Sequence, residues 1–570
     1  MLNLDEAFQS WRIGNFFIYF DQNCTPLVLN VENKRIIIIC DGFLLPRQKV
    51  FENFEKYKNE QLIFELYNRY ELAFINYVKG NFSIILSIDE KIFIYNDHLG
   101  IKKVFFINRD GQILISNTLS NVVPGSMKQI NPRGIAYITL FHHFIQGNTF
   151  LSDVKYTLGA STIELGDVFK LTYYWSKTAL ISQDKKDNIY EFVESFCKIV
   201  RSYFDYFHSD SILLSLTGGF DSRLLLAVLL YSDLHPEIYC YGHPSSSDVI
   251  ISNKIANSFN LKWNNYFNLD NIEEWYSWVY KKILIDGDSI SQVQRAHRVF
   301  PIIRESEKLS GSVIIGGYMG GEGIRGLSYN DYYSSSILYD IWERQMPFTE
   351  TVKKIMEEYY IKSYDIHNLV EELELLSFFT NQDNKINKFN FIYDVIAPLH
   401  HSTDINFLNQ YSLIGFSPYL DIDYLEQLFR LKYNMLREYR NSFDKKLKEP
   451  YLYCKAIEYL FPKLLNFELS NGYSPSNYLH DKYSFLMLKI WNKIKRKRYT
   501  CNFAYDDWFA NLLIEKSKEL QKNTYLVNIL DMDRYLYDLN HLKHQNSEGY
   551  WHKYINPIII NDLYKYYSKG

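Results

Sequence analysis

The chain has 570 residues, more than one hydrophobic core organises, so at least two domains are expected. Its 62 basic and 66 acidic side chains give a formal charge of −4, which favours neither nucleic acid nor an anionic membrane as a partner. Hydrophobic content of 47% and charged content of 22% suit a soluble globular protein. The six cysteines, at 24, 40, 197, 240, 454 and 501, form no CxxC pair, which argues against a zinc ribbon, a dithiol redox site or a disulfide framework. Met1-Leu2-Asn3-Leu4-Asp5-Glu6 carries acid where a leader would carry base, and no apolar run is long enough to span a bilayer. A cytoplasmic location is expected.

Short apolar runs dominate the first part: Phe16–Phe20, Arg35–Cys40, Phe82–Ile88, Ile92–Tyr95, Val104–Ile107 and Gln112–Ser116. Turn pairs such as Asp41-Gly42, Asp89-Glu90 and Asp110-Gly111 separate them, as expected of strands. Glu60–Asn76 reads as a helix, and together these predict stacked sheets with helices. Asp97 reads as a turn-stabilising carboxylate. Gln183–Asn188 is a polar linker, and Ile189–Phe207 has the spacing of an amphipathic helix.

Ser211–Leu216 then reads as a buried strand and Leu224–Leu230 as a helix, joined by Thr217-Gly218-Gly219-Phe220-Asp221-Ser222-Arg223. Glycines let backbone N–H groups approach an anion, the helix start adds partial positive charge, and the hydroxyls of Thr217 and Ser222 can donate to phosphate oxygens. Asp221 can hold a divalent metal. This is no Walker loop, because its lysine is missing. An ordinary strand–glycine turn–helix is the bland alternative. A second strand, Glu237–Gly242, and a helix, Val249–Phe259, continue a β-α-β-α pattern, so a parallel sheet with ligands at its carboxyl edge is expected. Val313–Ile315 is a further strand entering a loop with six glycines, Gly316–Gly326, that contains Glu322 and Arg325. Arg325 reads as a neutraliser of leaving pyrophosphate or as a surface arginine. Asp286–Gln292 and the following Arg295, His297 and Arg298 receive no role, and His297 reads as a surface or packing histidine.

Beyond residue 345, Glu371–Thr380, Asp423–Leu431 and Tyr451–Leu460 have helical spacing. The basic run Lys493–Arg498 can hold a phosphate or an acidic peptide, or form a solvated helix face. Tyr550–Gly570 is expected to cap the core.

Taken together, these stretches resemble the asparagine synthetase family. Thr217–Ser222 is similar to the S-G-G-x-D-S loop of the ATP pyrophosphatase group, with Thr217 at the first serine. Gly80–Leu86 with Tyr95–Phe106 resembles the G-x-F-A … R-D-x-x-G-x-x-P-L-Y pattern of class II glutamine amidotransferase domains, continued by Ser116-Asn117, Gly147-Asn148-Thr149, Leu158-Gly159 and Tyr173-Tyr174-Trp175. Gly316–Gly326 resembles the family's S-G-E-G-S-D-E-x-F-G-G loop, with Glu322 on its Glu and Gly321 on its Asp. Gly415–Asp421 resembles R-x-P-F-L-D. Lys455 and Phe467–Pro475 resemble the late lysine and R-x-K-x-G-F-S-P segments, with Ser470-Asn471 in place of the second lysine. The family's glutaminase needs an N-terminal Cys whose amine acts as base; here Leu2 follows the initiator, Cys24 is internal, and Asp41-Gly42 replaces an Asn-Gly step.

The resemblance implies an α/β protein. Residues 1–185 would form an Ntn-hydrolase-like αββα sandwich without glutaminase activity. Residues 186–570 would form a parallel-sheet ATP pyrophosphatase domain (adenine nucleotide alpha-hydrolase-like) with a helical C-terminal half. ATP and Mg²⁺ are the implied cofactors. Ser215, Thr217, Gly218, Gly219, Asp221, Ser222, Tyr241, Gly242, Asp248 and Gly317 would bind nucleotide, Asp221 and Glu322 the metal, and Asp221, Glu322 and Arg325 would serve the chemistry. For Tyr241, Gly242 and Asp248 a solvent loop is the alternative. The implied reaction joins a carboxylate to an amine of a small molecule or peptide through an acyl-adenylate, as in β-lactam synthetases and lasso-peptide cyclases, with a biosynthetic partner protein as a further partner. A true asparagine synthetase, a non-catalytic nucleotide-binding partner, and a tRNA-thiolating enzyme of the same loop class are the other readings.

Overall fold

A computed structural model describes residues 8–568, with 22–23, 32–33, 90, 110, 123–129, 167–168, 182–186, 210, 267–299, 328–335, 363–364, 481–482, 488–489, 491–504 and 542–550 excepted. The linker 183–186, the stretch 286–298, the basic run 493–498 and Cys501 therefore lie outside the described residues. The described residues form a mixed α/β protein with three sheets, and the strands counted below are those of the described residues. Eleven strands precede residue 185: β1 (Phe8–Ile13), β2 (Phe16–Asp21), β3 (Leu27–Val31), β4 (Lys34–Pro46), β5 (Val78–Ile88), β6 (Lys91–Asn96), β7 (Phe105–Arg109), β8 (Gln112–Ser116), β9 (Lys155–Tyr156), β10 (Ser161–Leu165) and β11 (Lys170–Tyr173). They form a five-stranded sheet, β1-β2-β8-β7-β9, and a six-stranded antiparallel one, β11-β10-β6-β5-β4-β3.

Strand periodicity explains why the two sheets stack. In β4 the run Ile36–Cys40 is apolar throughout, so it is buried on both faces. Ile37 and Ile39 join Ile85, Ile94, Ile18 and Phe20 between the sheets. Ile36, Ile38 and Cys40 face the other way, onto Leu62, Ile63 and Leu66 of the helix Asn59–Tyr70. That helix is shorter than the expected Glu60–Asn76. The chain turns at Glu71, whose φ of 49° ends the α-helix, and Glu71–Tyr77 continues as a 3₁₀ turn. The outer face of the five-stranded sheet is covered by Leu119 and Val122 and by the buried helix Pro132–Phe141.

After the helix Ile189–Phe207, five parallel strands build the third sheet: β12 (Ile212–Ser215), β13 (Glu237–Cys240), β14 (Trp263–Asn265), β15 (Val313–Ile315) and β16 (Ile414–Phe416), in the order β14-β13-β12-β15-β16. Successive strands run outward from β12 to one side and then, from β15, to the other. The order reverses between β12 and β15. One sequence reading shifts here. The helix expected at Glu371–Thr380 lies at Ile366–Glu374, its start fixed by the Asp365 side chain accepting the Asn368 N–H. The helix Trp551–Ser568 does pack on the core through Ile555, Ile558, Ile559 and Leu563, and Asn556 donates to the Ile138 carbonyl of the first part. Among the described residues no helix is long and apolar enough to cross a membrane.

Candidate functional site

The two glycine-bearing loops leave the carboxyl ends of β12 and β15, the strands between which the order reverses, and open sheets of this kind take ligands in that crevice. They touch: a Cβ on Gly317 would lie 3.1 Å from the Asp221 Cβ and 3.2 Å from the Ser222 N. The first loop runs from Ser215, the last residue of β12, to Asp221, where the helix Asp221–Tyr231 begins. Its polar groups are turned inward. The Thr217 N–H donates to Ser222 Oγ at 3.0 Å, the Gly219 N–H to Thr217 Oγ1 at 3.2 Å, and the Gly218 N–H to Asp248 Oδ1 at 2.8 Å. A phosphate entering the turn therefore competes with Asp248 for the Gly218 amide. Asp248, expected beside adenine or ribose, is brought to the Thr217–Ser222 turn itself. Tyr241 and Gly242 stay at the end of β13, where the Gly242 carbonyl accepts from Asn265 at 3.2 Å.

The six-glycine stretch is not a continuous loop. Gly320–Arg325 is a short helix entered through Met319 at φ 68°, a strained conformation for a side chain this buried. It sets Arg325 against Asp221, with Nη2 3.1 Å from Oδ2. The other Asp221 oxygen accepts from the Tyr453 hydroxyl, and the Asp221 carbonyl accepts from Tyr419 at 2.8 Å. Burial pushes the Asp221 carboxyl up, while Arg325 and the Tyr453 hydroxyl oppose the rise. Burial would lower the Arg325 guanidinium, but Asp221, together with Tyr453, Glu322 and Glu449, more than offsets that and holds it above its usual value.

Glu322 faces the other way round the helix and pairs with His401 Nε2 at 3.1 Å. Burial would raise its carboxyl, yet His401 prevails and keeps it below the ordinary range. His401 ends a wide, π-type helix, Ile392–His401, that contains Pro398. Tyr393, in the same segment, lies with its hydroxyl 3.7 Å from the Cβ position of Gly323 and is buried. Sequence reading singled out none of His401, Tyr393 and Tyr453. Tyr419 fell within the Gly415–Asp421 segment noted for its resemblance to R-x-P-F-L-D, and Tyr453 stands two residues from Lys455, which itself pairs with Glu458.

The late segment also arrives. Ser470 N lies 3.3 Å from the Cβ position of Gly218, and Arg223, wholly buried, donates to the Phe467 carbonyl at 2.6 Å and the Glu468 carbonyl at 2.8 Å. Arg223→Met is expected to remove both bonds and cost about 2–3 kcal/mol, read as a lower urea midpoint at unchanged slope.

In the first half, Asp97 accepts the N–H groups of Leu99, Ile101 and Lys102 at 2.9–3.1 Å, the turn role expected of it. Asp41 is taken by Lys102 and Asn117. Cys24 is buried between the sheets.

No family model and no curated protein matches the chain. One similar solved structure is described as that of the allosteric regulatory enzyme of purine biosynthesis, at 9% identity and a TM-score of 0.20, over 43% of this chain and 48% of that one. The chain thus spans about half the length of that protein, and so faint a likeness specifies no activity.

The expected metal pair does not fit a divalent ion. Mg²⁺ at a phosphate site is held by one or two carboxylates together with the phosphates and waters. Here both Asp221 oxygens are taken, one by Arg325 and the other by the Tyr453 hydroxyl, and Glu322 is turned to His401, so the two acids do not present oxygens to a shared ion.

Proposed function

We propose that the chain is an ATP-dependent ligase that forms amide bonds, related to the asparagine synthetase family, with an Ntn-hydrolase-like first domain over 1–185 and an ATP pyrophosphatase domain over 186–570. The observation that carries this reading is the placement of Thr217–Ser222 at the carboxyl edge of a parallel sheet, at the point where strand order reverses, against a second glycine-bearing segment from the adjacent strand. A substrate carboxylate oxygen attacks the α-phosphorus of ATP, the bond to the bridging oxygen breaks, and pyrophosphate leaves. A substrate amine then attacks the acyl carbon, AMP leaves, and the amine proton passes to solvent. The chain's own part is positioning and charge. Thr217, Gly218, Gly219 and Ser222 hold the phosphates, Asp221 orients Arg325 toward the leaving pyrophosphate, and Tyr241 and Gly242 lie where the nucleoside extends. The substrate is a small molecule or peptide bearing both groups, because Cys24 is buried between the sheets and lacks the chain-end amine that activates an N-terminal thiol. The full chain incubated with ATP and candidate acid–amine substrates is expected to release pyrophosphate and yield a product lighter by one water in mass spectrometry. ATP binding without either product would instead support a nucleotide-binding partner, the reading favoured by Ser470-Asn471 standing where a lysine was expected.

A further inference from the structure

We infer that Arg325 is a built-in counter-cation that takes the place of a metal ion at this site, so that the chain binds a di- or triphosphate without a divalent cation. The inference rests on the proposed nucleotide site and names how it handles charge. Three independent features lead to it.

Space comes first. Residue 321 has no side chain, and a Cβ there would lie 2.7 Å from Arg325 Nη2 and 3.4 Å from Asp221 Oδ2. Any side chain at 321 would fill the volume that the guanidinium uses, so glycine at 321 and arginine at 325 form one arrangement.

Charge comes second. A carboxylate beside a polyphosphate repels it unless a cation stands between them, and Asp221 already has one in Arg325 at 3.1 Å. Glu322 is engaged separately by His401, Nε2 lying 3.1 Å from Oε1. With both acids paired from within, neither Asp221 nor Glu322 is open to a second positive ion, and Asp248, the other carboxylate at the turn, accepts the Gly218 N–H.

Unspent donors come third. Arg325 is fixed by Asp221 through Nη2 and lies over the Tyr453 ring at 5.7 Å, while its buried Nε–H has no hydrogen-bond partner. A guanidinium held at one corner with N–H groups left over is suited to accept a tetrahedral oxyanion, which it can grip through two parallel bonds.

Calorimetric titration of the full chain with inorganic pyrophosphate and with ATP, in EDTA and in excess Mg²⁺, tests this. The wild-type chain is expected to bind pyrophosphate in EDTA within about threefold of its affinity in Mg²⁺. Arg325→Gln is expected to weaken binding in EDTA by about 10–100-fold, and Arg325→Lys to keep part of it. Gly321→Asp, which expels the guanidinium, is expected to make binding depend on Mg²⁺. Circular dichroism of each variant reports whether it folds, and the lysine variant preserves the test if the glutamine variant does not. Wild-type binding that appears only with Mg²⁺ overturns the inference and leaves the proposed ligase standing, as does an Arg325→Gln variant that binds in EDTA as tightly as wild type. Binding in neither condition overturns both.

Discussion

Asp221→Ala is expected to remove pyrophosphate release almost wholly, by about 10³-fold or more, while the chain still folds. Loss of one preorganised charge group from a site of this kind costs a factor of about 10²–10³. Asp221 holds several such groups at once. Its carboxylate fixes the Arg325 guanidinium and accepts the Tyr453 hydroxyl, and both would lose their orientation together. The Tyr419 bond goes to the main chain at Asp221 and survives the substitution, so the loop keeps one tether to the Ser417–Asp421 turn. Stability should fall by only about 1–3 kcal/mol, the cost of leaving buried partners unmatched. The measurement is ATP–pyrophosphate exchange beside a urea unfolding curve. Tyr453→Phe separates the contributions, because it removes one partner of Asp221 and leaves the Arg325 pair in place. A chain that exchanges pyrophosphate normally without Asp221 would remove the site from consideration.

How far the sequence reveals such a site depends on the separation of its parts. The strand β12, the turn after it and the helix Asp221–Tyr231 are local features, and an apolar run, two glycines and a second apolar run suffice to place them. The stacked sheets are legible for the same reason, since Ile36–Cys40 can only be a strand buried on both faces. Partners of the loop are another matter. Tyr453 lies 232 residues from Asp221, Arg325 lies 104 away, and His401 lies 79 from Glu322. Nothing in the spacing of a tyrosine on an apolar helix distinguishes one that packs from one that donates to a carboxylate. The short helix Gly320–Arg325 is hidden for a different reason. Glycine carries a weak helix propensity, so a stretch with four glycines in eight residues reads as loop, and only packing against Tyr419 and Asp221 winds it up. Its winding is what turns Arg325 toward Asp221 and Glu322 toward His401. The break of the first helix at Glu71 likewise follows a backbone angle that composition does not announce.

The joint between the two halves gives the second large effect, this time on stability. Lys79, on β5, is wholly buried, with Nζ 3.4 Å from Asp421 and 3.5 Å from Asp423. Arg47, at the end of β4, donates to Asp423 at 2.8 Å and to Glu426 at 2.6 Å. Asp421 also accepts the Tyr203 hydroxyl at 2.7 Å and caps the helix Ile422–Arg430 through the Tyr424 N–H. The two cations thus belong to the first half of the chain and the carboxylates to the second. Breaking a buried pair by removing one partner costs about 3–5 kcal/mol, a large share of the roughly 5–15 kcal/mol that holds a domain folded. Lys79→Met is therefore expected to lower the unfolding midpoint strongly and to split a single transition into two as the halves uncouple. Its pH dependence follows from Asp423. Burial would raise that carboxyl, but Lys79 and then Arg47 prevail and hold it below its ordinary value. A carboxyl depressed in the folded state adds stability above its unfolded value of about 4, and that stability is lost as pH falls through the lower folded value. Without Lys79 the depression shrinks, so acid unfolding of the variant should begin at a higher pH than in the wild-type chain. Equal acid midpoints for the two would show that Lys79 carries no charge coupling across the joint.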